Sequence, residues 1–112
     1  MKVQHYTEVE AEPVKEAAKN TKVRWLIAER DNAPNFYMRV FEVGQGGATP
    51  HHEHAWEHEI FVLEGEGKLV GDGFSHELSP GIFAFVPGGD IHHLENSGDA
   101  PLKFICLVPK VQ

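Results

Sequence analysis

Cysteine is nearly missing from this chain: among its 112 residues only Cys106 carries a thiol. A lone cysteine excludes an intramolecular disulfide and any metal site built from several thiolates. Basic charge is scarce as well, with 10 Lys and Arg against 17 Asp and Glu, a formal net charge of −7. Nucleic acid and anionic membrane surfaces both require a basic footprint, so neither is an expected partner. No apolar run approaches the roughly 20 residues of a membrane span. The opening MKVQHYTEVEAEP lacks the apolar stretch of a signal peptide. A cytoplasmic protein is therefore the expectation. Internal repeats, linkers and low-complexity tracts are also lacking, and the length suits one domain with one core.

Histidine is the residue type in excess. GGATPHHEHAWEHEIFVLEG, from Gly46 to Gly65, holds His51, His52, His54 and His58 within eight positions. In an extended strand side chains alternate faces, so His52 and His54 point the same way, one pleat apart. His58 keeps their parity and joins them if the chain bends near Trp56 and returns as the strand His58–Glu64. Neutral imidazoles suit Fe, Ni, Cu and Zn, whereas Mg and Ca prefer oxygen donors.

Hydrophobic alternation and turn residues predict an all-β chain of about eight short strands, with almost no helix. Residues 1–21 read as an N-terminal arm, a short helix or irregular segment, and 22–110 as the barrel of a single domain. KVRWLIAER and FYMRVFEV (Phe36–Val43) read as strands separated by a turn at Asp31–Asn35. Gly44–Pro50, with three glycines, reads as the loop that delivers the histidines. Gly71-Asp72-Gly73 is a hairpin tip. IFAFV, Ile91–Glu95 and LKFICLVP supply the last strands. Turn signals every 8–12 residues point to a sandwich or barrel.

GIFAFVPGGDIHHLEN, Gly81–Asn96, contributes two adjacent histidines that must face opposite ways. His92 shares parity with apolar Leu94, and His93 shares it with Glu95. His92 is accordingly the fourth candidate ligand beside His52, His54 and His58.

These two stretches carry a resemblance. The cupin superfamily has the motifs G-x5-H-x-H-x3,4-E-x6-G and G-x5-P-x-G-x2-H-x3-N. This chain reads Gly46-x5-His52-x-His54-x3-His58-x6-Gly65, then Gly81-x5-Pro87-x-Gly89-x2-His92-x3-Asn96. The second match is complete, and the first departs where His58 replaces the usual glutamate. Glu59 is the alternative carboxylate ligand. His58 is favoured because it alone leaves six residues before Gly65 and shares the parity of His52 and His54. HAWEHEIFVLEG, PNFYMRVFEV and FICLVPK resemble the small single-domain manganese-containing cupins, which bind metal through four histidines. The resemblance implies a double-stranded β-helix, or jelly-roll barrel, and a divalent transition metal, manganese first, with Fe, Ni, Cu or Zn compatible.

Arg39, Trp56, Glu59, Leu94, Phe104 and Cys106 are the expected pocket-lining residues. In the last strand Phe104, Cys106 and Val108 form the inward set, because Lys103 marks the other face. His51 and His76 should face solvent. IFVL, IFAFV and FICLVP are apolar on both faces, which leaves an outer sheet face to be covered, most simply by a second copy in a homodimer. Four neutral imidazoles on a divalent ion leave its charge uncompensated and two octahedral positions open. Such a centre fits a dioxygenase or isomerase acting on a small oxygenated molecule, or a non-catalytic module that binds a small ligand or metal. No general acid or base emerges; Glu57 and Glu59 are candidates without geometry.

Overall fold

The computed structural model describes residues 1–110. Nine strands follow in order: β1 (Glu12–Pro13), β2 (Lys19–Ile27), β3 (Phe36–Ala48), β4 (His58–Glu64), β5 (Gly67–Val70), β6 (Ser75–Leu78), β7 (Phe83–Val86), β8 (His93–Asn96) and β9 (Leu102–Pro109). Two 3-10 turns, Tyr6–Glu8 and Glu29–Asp31, are the only helical elements among the described residues, and no helix is long and apolar enough to cross a membrane.

The strands form one curled sheet in the order β6-β5-β8-β3-β9-β4-β7, with β2 added to β3 and β1 to β2. Every pairing is antiparallel. This is the jelly-roll expected from short strands and frequent turns. β3 is its spine: residues 36–43 pair with β9, while Ala48 reaches across to Glu95 on β8.

The spine corrects one expectation. Gly44–Pro50 is not simply a loop, because β3 continues to Ala48. The glycines instead mark an irregularity, with Gly46 at φ +74° opposite a register shift between Lys19 and Thr21 on β2. Glycine within a strand commonly marks such a bulge, where the sheet turns a corner. KVRWLIAER is corrected at both ends. β2 begins at Lys19, inside the stretch read as the arm, and stops at Ile27. Asp31 accepts a bond from the Ala28 amide at 2.9 Å, and this local cap bends Glu29–Asp31 into a 3-10 turn.

The core follows from alternation. In β9, Leu102, Phe104, Cys106 and Val108 are buried, and the residues between them are half-buried. They meet Val43, Val62, Ile60, Leu78, Val86 and Leu94 from the facing strands. Each such side chain contributes about 1.5–3 kcal/mol by leaving water. Phe41 stacks on Phe104 with centroids 5.3 Å apart, closing the core beneath the cavity described next.

Candidate functional site

From residue 52 to residue 60 burial strictly alternates: His52, His54, Trp56, His58 and Ile60 turn inward, while Glu53, Ala55, Glu57 and Glu59 are exposed. The bend at Ala55-Trp56 preserves this parity and leads into β4. His92 is brought opposite by an isolated two-residue bridge. The His52 amide donates to the His92 carbonyl at 3.1 Å, and the His92 amide donates to the His52 carbonyl at 3.1 Å. Just beyond, the Thr49 amide donates to the Leu94 carbonyl and the Leu94 amide to Thr49 Oγ1, each at 2.9 Å.

Four imidazoles thus share one end of the barrel. Ring centroids are 4.1 Å apart for His52 and His54, 5.3 Å for His54 and His58, and 5.0 Å for His58 and His92. His92 lies further from His52 and His54, at 6.4 and 6.5 Å. Among the described residues no group of three or more His, Cys, Asp or Glu closes to metal-ligand spacing, so the donors are gathered rather than clamped. Two imidazoles bound to one ion at metal–nitrogen distances of about 2.0–2.1 Å have centroids roughly 4.5 Å apart when cis. Small rotations of side chains already 4–5 Å apart cover the difference for three of the neighbouring pairs.

Protonation favours the same use. Burial, reinforced by the Arg39 charge and then by the neighbouring rings, pushes the pKa of His58 down to about 3. Burial also lowers His52 and His54, with the Glu16 carboxylate pulling the other way. The Asp90 carbonyl can only accept, so His92 must donate to it from Nδ1 at 2.8 Å, leaving Nε2 with a lone pair. His58 Nδ1 lies 3.3 Å from Cys106 Sγ, while His58 Nε2 is buried without a hydrogen-bond partner. A buried, neutral imidazole with an unpartnered nitrogen is suited to hold a cationic metal. The donor set fits a borderline transition ion.

Above the histidines opens a cavity of about 410 Å³. Of the expected lining residues, Arg39, Trp56, Leu94, Phe104 and Cys106 lie on its wall. Trp56 stacks on His54 with centroids 4.5 Å apart and planes 10° from parallel. Glu59 does not lie there. It faces outward, because β4 alternates and both its neighbours, His58 and Ile60, point in. His51 and His93 occupy the outer face, their Nδ1 atoms 2.6 Å apart, and His93 Nε2 meets Glu95 at 3.1 Å.

The wall also contains residues that sequence reasoning passed over. The arm returns across the mouth, where Glu12, Lys15 and Glu16 reach the rim, and β2 adds Val23 and Trp25. β1 is held there by pairing with β2, and the Val14 amide donates to the Thr21 carbonyl at 3.0 Å. Strand parity on β2 could have grouped Trp25 with buried Thr21 and Val23. The arm carries no comparable signal.

A profile of the Cupin domain family matches residues 39–108. The chain belongs to the cupin family. Its fold superposes on the polyketide cyclase RemF from Streptomyces resistomycificus with a TM-score of 0.91 and 42% identity, over 97% of this cupin and 79% of that chain. Protein MJ1618 of Methanocaldococcus jannaschii, itself uncharacterised, is 34% identical over 80 residues, 65% of this chain and 64% of that one. The 1-methylthio-D-xylulose 5-phosphate methylsulfurylase of Rhodospirillum rubrum is 33% identical over 72 residues, 63% of this chain and 46% of its own. The matched region spans less than two thirds of either of these curated relatives. Cupins similar to this one thus have varied enzymatic roles.

Proposed function

We propose that this cupin is a metal-dependent enzyme in which His52, His54, His58 and His92 hold one divalent transition ion. Manganese is the first candidate, with Fe, Ni, Cu or Zn compatible. The observation that carries the reading is His58 Nε2, a buried nitrogen without a partner on a ring held neutral, in a cavity wall where that ring lies beside those of His54 and His92 and His52 lies beside His54. When bound, such an ion supplies Lewis acidity to a carbonyl or enediol oxygen, or a redox centre for oxygen. The protein's part is to present neutral donors, to exclude water with Trp56, Leu94 and Phe104, and to keep His92 in one tautomer through the Asp90 carbonyl.

The substrate class proposed is a small oxygenated molecule with two oxygens on neighbouring or alternate carbons, such as a 1,3-diketone. The 42% identity to a polyketide cyclase supports ring closure or isomerisation of such a molecule ahead of oxygenation. A second reading, a binding module without turnover, is favoured by one feature: among the described residues the only carboxylates lining the cavity, Glu12 and Glu16, belong to the arm at its rim. We further propose a cytoplasmic homodimer, assembled through the outer face that carries Phe61, Phe83 and Phe85.

Elemental analysis with paramagnetic resonance, on protein purified without a His-tag or chelator, tests the centre. About one equivalent of metal is expected, and His52→Ala or His92→Ala should each abolish it. Stoichiometric metal in both variants overturns the four-histidine assignment. Saturable turnover of a simple 1,3-diketone separates the enzyme from the binding module.

A further inference from the structure

Arg39 poses a problem the metal centre does not solve. It lies in β3 between Trp25 on β2 and Cys106 on β9, and it lines the cavity. Its guanidinium sits 5.2 Å from the centroid of the Trp25 ring and 4.8 Å from that of Phe41. Nη2 donates to Cys106 Sγ at 3.1 Å, and Nε is buried without a partner. Among the described residues Arg39 forms no ion pair, although the chain carries 17 carboxylate side chains. A half-buried arginine set among aromatic rings and left without a counter-ion is placed to receive an anion.

We infer that Arg39 is the anchor of an anion subsite, and that the natural ligand of this cavity carries a monoanionic oxygen group, a carboxylate or an enolate, on a flat unsaturated body. The flat body follows from a wall that includes the rings of Trp25, Phe41 and Trp56, and the planar guanidinium fork matches a two-oxygen group held beside them. The single charge follows from the rim of the ion-free cavity, where the two carboxylates Glu12 and Glu16 outnumber the one ammonium of Lys15 and disfavour a dianion. The inference deepens the proposed function by adding a charge and a shape to its substrate class; it rests on this cavity being the site, and it does not need the ion.

The test uses chelator-stripped, full-length protein at pH 8, with benzoate as the probe and benzamide as its uncharged counterpart. Both tryptophans line the cavity, so their fluorescence follows binding. Benzoate should bind roughly tenfold or more tightly than benzamide, as expected for charge-assisted hydrogen bonds. Arg39→Gln should remove that preference and Arg39→Lys should retain part of it, with circular dichroism melts verifying the fold. Should Arg39→Gln not melt cooperatively, a reduced but remaining preference in Arg39→Lys carries the test. Equal binding of the two probes, or an undiminished preference in the folded variants, overturns the subsite. Tighter binding of phenyl phosphate than of benzoate overturns the monoanion assignment. Metal content is measured on the untreated protein, so a failed centre and a failed subsite are told apart.

Discussion

Acid should weaken this protein through His58, and the size of the effect can be worked out. The ring has a pKa of about 3 in the folded chain against an ordinary 6.5, so between these values the unfolded state binds the proton and the folded state does not. Stability therefore rises with pH across this window and is lost as pH falls from about 6.5 toward 3. Each pH unit is worth up to about 1.4 kcal/mol for one proton, which makes the loss between pH 7.5 and 4.5 about 2–3 kcal/mol at most. That is a large share of a typical total of about 5–15 kcal/mol. His52 and His54 are shifted in the same direction and add to the loss. Asp31 is lowered by its bonds to Lys2 and the Ala28 amide, so its contribution fades only below its ordinary 3.8, outside the window. The assay is urea unfolding of chelator-treated protein at the two pH values. The midpoint of the parent chain should fall by roughly 1–2 M. In His58→Gln most of that fall should vanish. An equal fall in parent and variant would refute the claim that burial holds this ring neutral.

Three further outcomes are expected. Gly65 has φ +87°, and a Cβ there would press into the Pro101 carbonyl, whereas Gly73 at φ +82° has open space around it; Gly65→Ala should cost about 2–3 kcal/mol and Gly73→Ala about 1, and equal melts would contradict the steric account. Phe83 and Phe85 are 79% and 58% exposed on the outer face; replacing both with Glu should leave the fold intact and halve the mass seen by light scattering, and a monomeric parent would remove the proposed dimer. Glu59→Ala should keep its metal, because the side chain points away from the cavity; metal loss would restore the carboxylate alternative.

Much of the fold could be read from the chain because its rules are local. β4 and β9 coincide with the sequence reading at both ends, since alternation runs unbroken between clear turn residues. The grouping of His52, His54 and His58 on one side was likewise a matter of period two, and the burial of residues 52–60 follows it. Where reading failed, a distant partner or a competing local bond decided the outcome. Gly44–Ala48 has the composition of a loop, yet β2 and β8 hold it as strand. Glu29 and Arg30 look like the end of a strand, yet the Asp31 cap draws them into a turn. The arm's place at the cavity mouth depends on a two-residue strand, Glu12–Pro13, with no periodic signal. Glu59 was offered as a lining residue despite its parity, and parity was the better guide.

The way this cavity is put together separates two inheritances. Its four histidines all lie within residues 39–108, the part shared with other cupins. Trp25, Val23 and the arm's Glu12, Lys15 and Glu16 precede that part, yet they form the side of the cavity an arriving molecule meets. The four histidines, with Arg39, Phe41 and Trp56, therefore belong to one stretch of chain and the residues of the rim to another. Residues 12–25 could thus be exchanged between cupins with the imidazoles untouched, and such a graft would separate what the rim adds to the cavity from what its inner wall supplies.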